Sequence, residues 1–174
     1  FSPLIGERMP SPMQIPACES SCCVANGPRG LLITPGWSVM NSKSGPVINL
    51  YCKGNWTYKL ESGTELKITQ ETNYPEDKEI LIRIDLPKSE RFTVSLRIPA
   101  WSKNMKLTVN GEKINCEPGT YAQINREWKN GDQIQLEMDL RGRIIRAPGS
   151  VNDMAVMRGP IVLALDNRLV KNEN

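Results

Sequence analysis

The sequence has 174 residues, enough to bury a hydrophobic core in one large domain or two small ones. Its net charge of +3 argues against a nucleic-acid partner, and it has no apolar run long enough to suggest a membrane partner. The sequence contains no histidine, which excludes a Ser-His-Asp or Cys-His nucleophile and any histidine-ligated metal site built by this chain alone.

The N-terminal segment, residues 1–16, carries four prolines and follows neither the helical nor the strand period. A segment of this kind is typical of a poorly ordered tail or of a strap across another domain. Because the first residue is phenylalanine, we expect the chain to be a fragment whose beginning lies elsewhere.

Three of the five cysteines follow within six positions, at Cys18, Cys22 and Cys23. Adjacent cysteines rarely bridge each other, because the ring that they would close distorts the peptide and the disulfide. Two neighbouring thiolates can instead bind one soft metal ion, or one can attack a substrate while the other holds a metal. From the residues alone, buried structural thiols are the more common interpretation, since a free cysteine behaves as a small hydrophobic residue.

The residues after the cysteines predict only a short helix. Pro28 fits the first turn of a helix that continues over residues 29–33, and Pro35 with Gly36 is expected to end it. Residues 41–46 are rich in turn-forming residues and predict a linker. The sequence therefore predicts that the cysteines lie on a loop that leads into one or two helical turns.

From residue 47 onward, apolar and polar residues alternate with the period of two that is typical of half-buried strands. The pattern, with turn formers between the runs, predicts strands at 47–51, 56–60, 64–70, 80–86, 92–98, 106–109, 112–115, 121–124, 133–138, 143–146, 154–157 and 161–165. Short strands at regular spacing indicate an all-β fold, an antiparallel β-sandwich preceded by an irregular, short-helical segment. We place the domain boundary between residues 1–45 and 46–174.

Several details of this sandwich can be predicted residue by residue. Asn110 and Gly111 are the pair that a tight type I′ hairpin turn prefers, since both positions need a positive φ. The run 161–165 is continuously apolar and is expected to be buried on both faces. The side chains expected in the core are Ile82, Ile84, Val94, Leu96, Ile134, Leu136 and Leu163.

The aromatic side chains and the two later cysteines leave alternatives open. Cys52 and Cys116 are placed on predicted strands and are most simply core or strand residues. Four aromatic residues could form a platform on which a sugar stacks, although aromatics at strand spacing more often belong to a core. They are Trp56, Trp101, Trp128 and Tyr121.

A set of short motifs resembles one enzyme family. The motifs are Cys22-Cys23-x-x-Asn26-x-x-Arg29, Leu96-Arg97-Ile98-Pro99-Ala100-Trp101, Val109-Asn110-Gly111, Trp128-x-x-Gly131-Asp132 and Met157-Arg158-Gly159-Pro160. In this order they resemble glycoside hydrolase family 127, which contains the bacterial β-L-arabinofuranosidases. The resemblance covers residues 17–166. Members have an (α/α)6 barrel that carries the active site, followed by β-sandwich domains, so this chain resembles the end of the barrel and the sandwich.

The resemblance implies roles for the cysteine pair. It makes Cys22 the catalytic nucleophile and makes Cys22 and Cys23 ligands of a zinc ion in the complete enzyme. The other zinc ligands and the general acid of the family belong to an upstream barrel and have no counterpart in this sequence. We therefore expect the chain alone to be catalytically incomplete and to bind zinc weakly or not at all.

Three functions follow as hypotheses. The chain is part of a retaining glycosidase that acts on β-L-arabinofuranosides or related glycans, with the missing barrel as its partner, in the bacterial cytoplasm or periplasm. Alternatively, it is a non-catalytic module that binds carbohydrate, which exposed coplanar aromatics would favour. In the third hypothesis it is a structural sandwich that supports the barrel or forms a homodimer, which a large exposed apolar face would favour.

Overall fold

The computed structural model describes residues 22–146, 149 and 153–164. The chain forms two compact units, residues 1–36 and 37–174. Its first described element is a helix, α1 (Cys22–Ser38), and it is followed by strands. Among the described residues, no helix is both long enough and apolar enough to cross a membrane.

The helix α1 corrects the prediction for the N-terminal region. It begins at Cys22, so the cysteine pair opens a helix and does not lie on a loop, and it continues through Pro28 and Pro35 to Ser38. Each proline removes one i→i−4 hydrogen bond, but the two are seven residues apart, so both gaps fall on the same side of the helix. Thr34 donates from its hydroxyl to the Gly30 carbonyl at 2.7 Å, a local bond within the helix.

The described residues form thirteen strands. They are β1 (Val39–Ser42), β2 (Gly45–Ile48), β3 (Gly54–Lys59), β4 (Glu65–Thr72), β5 (Glu79–Asp85), β6 (Glu90–Arg97), β7 (Lys106–Val109), β8 (Glu112–Lys113), β9 (Tyr121–Trp128), β10 (Asp132–Glu137), β11 (Gly142–Arg146), β12 (Met154–Arg158) and β13 (Ile161–Leu163). Each of the twelve predicted strands overlaps one of these. The extra strand is β1. Its residues show no alternation, and the turn-forming residues from 41 onward predict a linker over part of it.

The strands form three sheets, and the fold class is all-β as predicted. A six-stranded sheet has the order β3-β4-β5-β10-β7-β8, a four-stranded sheet the order β1-β2-β6-β9, and a three-stranded sheet the order β11-β12-β13. The described pairs are antiparallel except for β2 with β6, where Val47 pairs with Ser95 in a parallel register. The two larger sheets share one hydrophobic core, which makes them the layers of a sandwich.

The core contains most of the side chains that the alternation predicts. Five of them are completely buried and Leu136 is nearly so; the five are Ile82, Ile84, Val94, Leu96 and Ile134. Leu163 is the exception, because it is 48% exposed on β13, an edge strand of the three-stranded sheet. The prediction that residues 161–165 are buried on both faces is therefore wrong where the structure describes them.

Two further local predictions can be compared with the structure. Asn110 and Gly111 have φ angles of 51° and 85°, so both turn positions take the positive φ that the sequence predicts. Cys52 and Cys116, in contrast, lie in loops and not on strands. Both are partly buried free thiols.

Candidate functional site

The cysteine pair occupies the first two positions of α1. The side chains of Cys22 and Cys23 lie outside the described residues, as does all of Cys18, so the nucleophile and zinc-ligand roles stay predictions. The backbone nevertheless adds one fact. Positions 22, 26 and 29 of the motif recur at i, i+4 and i+7, so they share one face of α1. Asn26 and Arg29 on that face are solvent-exposed.

The zinc that the resemblance implies has two candidate ligands in this chain. Adjacent thiolates are soft donors that suit zinc, and together they would fill half of a tetrahedral site. Among the side chains that the structure describes, no group of three or more His, Cys, Asp or Glu could hold a metal ion. The donor set therefore fits zinc in kind, through Cys22 and Cys23, and needs further ligands from elsewhere.

The structure describes the side chains of the two later cysteines, Cys52 and Cys116. Burial raises the pKa of the Cys116 thiol, which keeps that thiol protonated and makes it a poor nucleophile. Cys52 lies with its sulfur 3.5 Å from the Ser38 hydroxyl oxygen. Neither residue belongs to the family-like motifs, so the cysteine pair remains the candidate for covalent chemistry.

Two of the family-like motifs form one hydrogen-bonded turn network. Asp132 is buried, and its carboxylate accepts from the Lys129 backbone amide and from the Asn110 side-chain amide, each at 2.9 Å. The side-chain oxygen of Asn110 accepts from the Gln133 backbone amide at 2.9 Å. The network joins the turn between β7 and β8 to the turn between β9 and β10. These motif residues therefore have a structural role, which is to fix the two turns to each other.

The remaining motifs also have structural roles. Arg97 donates from Nε to the Asn49 carbonyl at 2.6 Å, which ties the end of β6 to the loop after β2. The guanidinium of Arg143 lies 5.3 Å above the ring of Trp101. Gly159 has a φ of 58°, and a Cβ there would lie 2.4 Å from Leu140 Cδ2. The last two contacts connect the three-stranded sheet to the residues that follow β6 and β10.

The four aromatic residues do not form an exposed platform. Trp128 is completely buried, with its indole Nε1 donating to the Phe92 carbonyl at 3.1 Å. Trp56 and Trp101 are partly buried and pack against the core. Only Tyr121 of the four is exposed, at 46%. The interpretation of these aromatics as core therefore holds for Trp128 and fails for Tyr121.

A groove on the outer face of the four-stranded sheet was not predicted from the sequence. We call it the Tyr121 groove, and its volume is about 380 Å³. Its lining consists of Ser42, Ser44, Val47, Thr93, Ser95, Tyr121 and Gln123. The alternation along β6 and β9 predicts which of these side chains point outward. It carries no information on which strands become neighbours.

Residues 46–140 match the family model of the GH127 middle domain of β-L-arabinofuranosidase. The chain belongs to the GH127 family. No curated protein matches this GH127 chain in sequence. The matched region runs from β2 to the end of β10 and the residues just after it, so it contains the sandwich core and the turn network of Asn110 and Asp132.

Solved structures resemble this GH127 chain over most of its length. A GH127 β-L-arabinofuranosidase from Geobacillus stearothermophilus T6 is 29% identical over 82% of the chain, with a TM-score of 0.76. A protein described as a glycoside hydrolase is 30% identical over 91%, with a TM-score of 0.78. A GH127 β-arabinofuranosidase is 28% identical over 82%, with a TM-score of 0.74. The chain spans only 24%, 28% and 26% of these three proteins, respectively.

Proposed function

We propose that this chain is part of a retaining glycoside hydrolase that acts on β-L-arabinofuranosides or related glycans. The match of residues 46–140 to the middle domain of β-L-arabinofuranosidase carries the proposal. Two of the similar structures are named as arabinofuranosidases, which supports an arabinofuranoside as the substrate class. The cysteine pair, with its motif partners on one face of α1, supports the same assignment.

In the proposed reaction, Cys22 is the nucleophile. Its thiolate sulfur forms a bond to the anomeric carbon while the glycosidic C–O bond breaks, and a general acid protonates the departing oxygen. Water then attacks the anomeric carbon and releases the thiolate, so two displacements give net retention. Both cysteines stand at the N-terminus of α1, where unpaired backbone N–H groups favour an anion. Bound zinc would lower the pKa of the coordinated thiols further.

The chain needs a partner for this reaction. Its sequence contains no second catalytic carboxylate in a family-like motif, and a positioned general acid typically contributes about 10²- to 10⁴-fold to the rate. We propose that an (α/α)6 barrel supplies the general acid, the remaining zinc ligands and the concave pocket that holds the sugar. The described sandwich would then act as the supporting domain of the complete enzyme.

The test uses the complete polypeptide that contains this chain and p-nitrophenyl β-L-arabinofuranoside as substrate. Cys22→Ser should lower kcat by about a thousandfold or more, since a serine hydroxyl is not ionised near neutral pH. Cys52→Ser is the matched control and should leave kcat unchanged, because Cys52 belongs to the sandwich. Retention of activity in Cys22→Ser, with the fold intact by circular dichroism, would refute the proposed nucleophile.

A further inference from the structure

The Tyr121 groove has a floor that is set below the surrounding surface. The strand register places Val47, Ser95 and Gln123 in one row across β2, β6 and β9. Ser95 points away from the core, because its neighbours Val94 and Leu96 are the side chains buried inside the sandwich. It is nevertheless only 9% exposed. An outward-pointing side chain with so little exposure marks the bottom of a concave site.

The ring of Tyr121 forms one end of this groove. Between residues 41 and 143, Tyr121 is the only large apolar side chain that is solvent-exposed. Its hydroxyl donates to the Asn49 side-chain oxygen, and the Asn49 carbonyl accepts from Arg97 Nε at 2.6 Å. The ring is therefore held in place at its polar end while its apolar body stays accessible, which is the arrangement of an aromatic contact for a ligand.

The polar groups of the groove offer both a donor and an acceptor. The Thr93 hydroxyl oxygen accepts from the Asn125 side-chain amide at 3.0 Å, which leaves its O–H to donate. The Ser42 hydroxyl donates to the Gly45 carbonyl at 2.7 Å, which leaves its oxygen to accept. The side-chain amide of Gln123 adds both functions. A ligand that carries several hydroxyl groups could satisfy all three positions.

The lining also limits the charge of a ligand. No side chain that lines the groove is charged. In the strand register Arg97 pairs with Tyr121, and its Nε donates to the Asn49 carbonyl away from the lining residues. Arg91 and Glu127 are paired in a row of the same face beyond Thr93 and so offer opposite charges. The side chains that line the groove therefore supply no cation for a carboxylate or phosphate, which favours an uncharged ligand.

We propose that the Tyr121 groove is a non-catalytic binding site for a neutral saccharide. The sugar ring packs its C–H face against Tyr121, and its hydroxyls bond to Thr93, Ser42 and Gln123. The volume of about 380 Å³ falls within the range of small-ligand sites. The proposal requires neither Cys22 nor hydrolysis, so it stands or falls independently of the proposed enzymatic activity.

The test is a titration of the ¹⁵N-labelled 174-residue chain, followed by backbone amide shifts. L-Arabinose and D-galactose serve as neutral probes and D-glucuronate as the anionic probe. We expect at least one neutral sugar to shift the amides of Ser95, Tyr121 and Gln123 saturably, with a Kd in the millimolar range of about 1 mM or weaker. The absence of saturable shifts with both neutral sugars, or saturation by glucuronate alone, would overturn the proposal.

Three variants locate the binding. Tyr121→Ala should weaken binding of the neutral sugar about tenfold, whereas Tyr121→Phe keeps the ring and should bind nearly as well as the parent chain. Gln135→Ala, on the outer face of β10 in the other sheet, is the matched control and should not change the Kd. If Tyr121→Ala does not fold, the Kd of Gln123→Ala is the test, since this variant removes the side-chain amide, leaves the ring of Tyr121 and should bind the neutral sugar more weakly. Unchanged affinity in the folded groove variants would contradict the assignment.

Discussion

At the scale of single residues, backbone geometry explains why some positions accept only glycine. Gly45 lies at the start of β2 with a φ of 138°, and a Cβ added there would lie 2.2 Å from the Thr93 carbonyl oxygen. The Thr93 amide donates to the Ser44 carbonyl at 2.9 Å, so the turn between β1 and β2 lies directly against β6. A side chain at Gly45 would push these strands apart and would also deform one wall of the Tyr121 groove.

We predict that Gly45→Ala lowers the free energy of unfolding by about 3 kcal/mol, from the strained φ and the overlap with β6 together. Gly63→Ala is the matched control: its φ of 87° is also positive, but no atom lies within 4 Å of the added Cβ. The control should cost about 1–2 kcal/mol. Urea denaturation of both variants measures the difference, and equal losses would show that contact with Thr93 carries no penalty.

The sequence predicts correctly which residues lie in the core only for strands that another layer of the fold covers. The alternation of residues 80–86 places Ile82 and Ile84 inside correctly, because β5 lies in the middle of the six-stranded sheet. Leu163 has an equally apolar neighbourhood in sequence, but its strand lies at an edge. Periodicity reports the face of a strand and is silent on whether another layer covers that face.

At the scale of elements, hydrogen bonds between turns contribute to the fold alongside the pairing of strands. The side chains of Asn110 and Asp132 join the β7–β8 turn to the β9–β10 turn. The backbone amide of Asn110 also donates to the Gln133 carbonyl at 2.9 Å. The sequence predicts the hairpin at Asn110 from its turn chemistry. It cannot predict the bond to Asp132, because that bond depends on β10 pairing with β7.

We predict that Asp132→Ala costs about 2 kcal/mol of unfolding free energy, because it leaves the Lys129 and Asn110 donors without their acceptor. Asn110→Ala should also destabilise the chain. In the double variant the losses should be less than additive, with a coupling of at least about 0.5 kcal/mol, as expected for side chains in direct contact. Strict additivity in denaturant melts would mean that the two turns are energetically independent.

The helix α1 shows the opposite limitation at this scale. Pro28, Pro35 and Gly36 are strong local signals for a short helix, yet α1 passes through all three. Proline within a helix costs about 3 kcal/mol, which is a preference that other contributions can outweigh. Consequently, the sequence analysis predicts a loop at the cysteine pair, whereas in the structure the pair begins a helix.

At the scale of the whole molecule, the sandwich and the three-stranded sheet differ in how far their apolar side chains are buried. The sandwich has a complete core and a closed turn network. The three-stranded sheet, in contrast, exposes apolar side chains such as Ile144, Val156 and Leu163. In the proposed function, the catalytic chemistry depends on the cysteine pair and on groups supplied by the barrel. A homodimer remains a prediction.

We predict that the chain alone releases no p-nitrophenol from p-nitrophenyl β-L-arabinofuranoside, since the proposed function takes the general acid for the departing oxygen from the barrel. Elemental analysis of the purified chain should find well under one zinc per chain, because the cysteine pair offers about half of a four-ligand site. A folded sandwich, checked by circular dichroism, is the control for both measurements. Turnover that disappears in Cys22→Ser, or one tightly held zinc, would show that the active site is complete in this chain.

The parallel pairing of β2 with β6 has a consequence for synthesis on the ribosome. The strands β3, β4 and β5 pair with their neighbours in sequence, so they can form a meander as they emerge. The hairpin of β1 and β2 emerges earlier. The other edge of β2 can form its hydrogen bonds only after β6 has been synthesised, because Val47 pairs with Ser95. Until then the nascent chain carries an open strand edge, which other chains could join. Of the described strands, those of the β1–β2 hairpin are therefore synthesised first, while their pairing with β6 forms late.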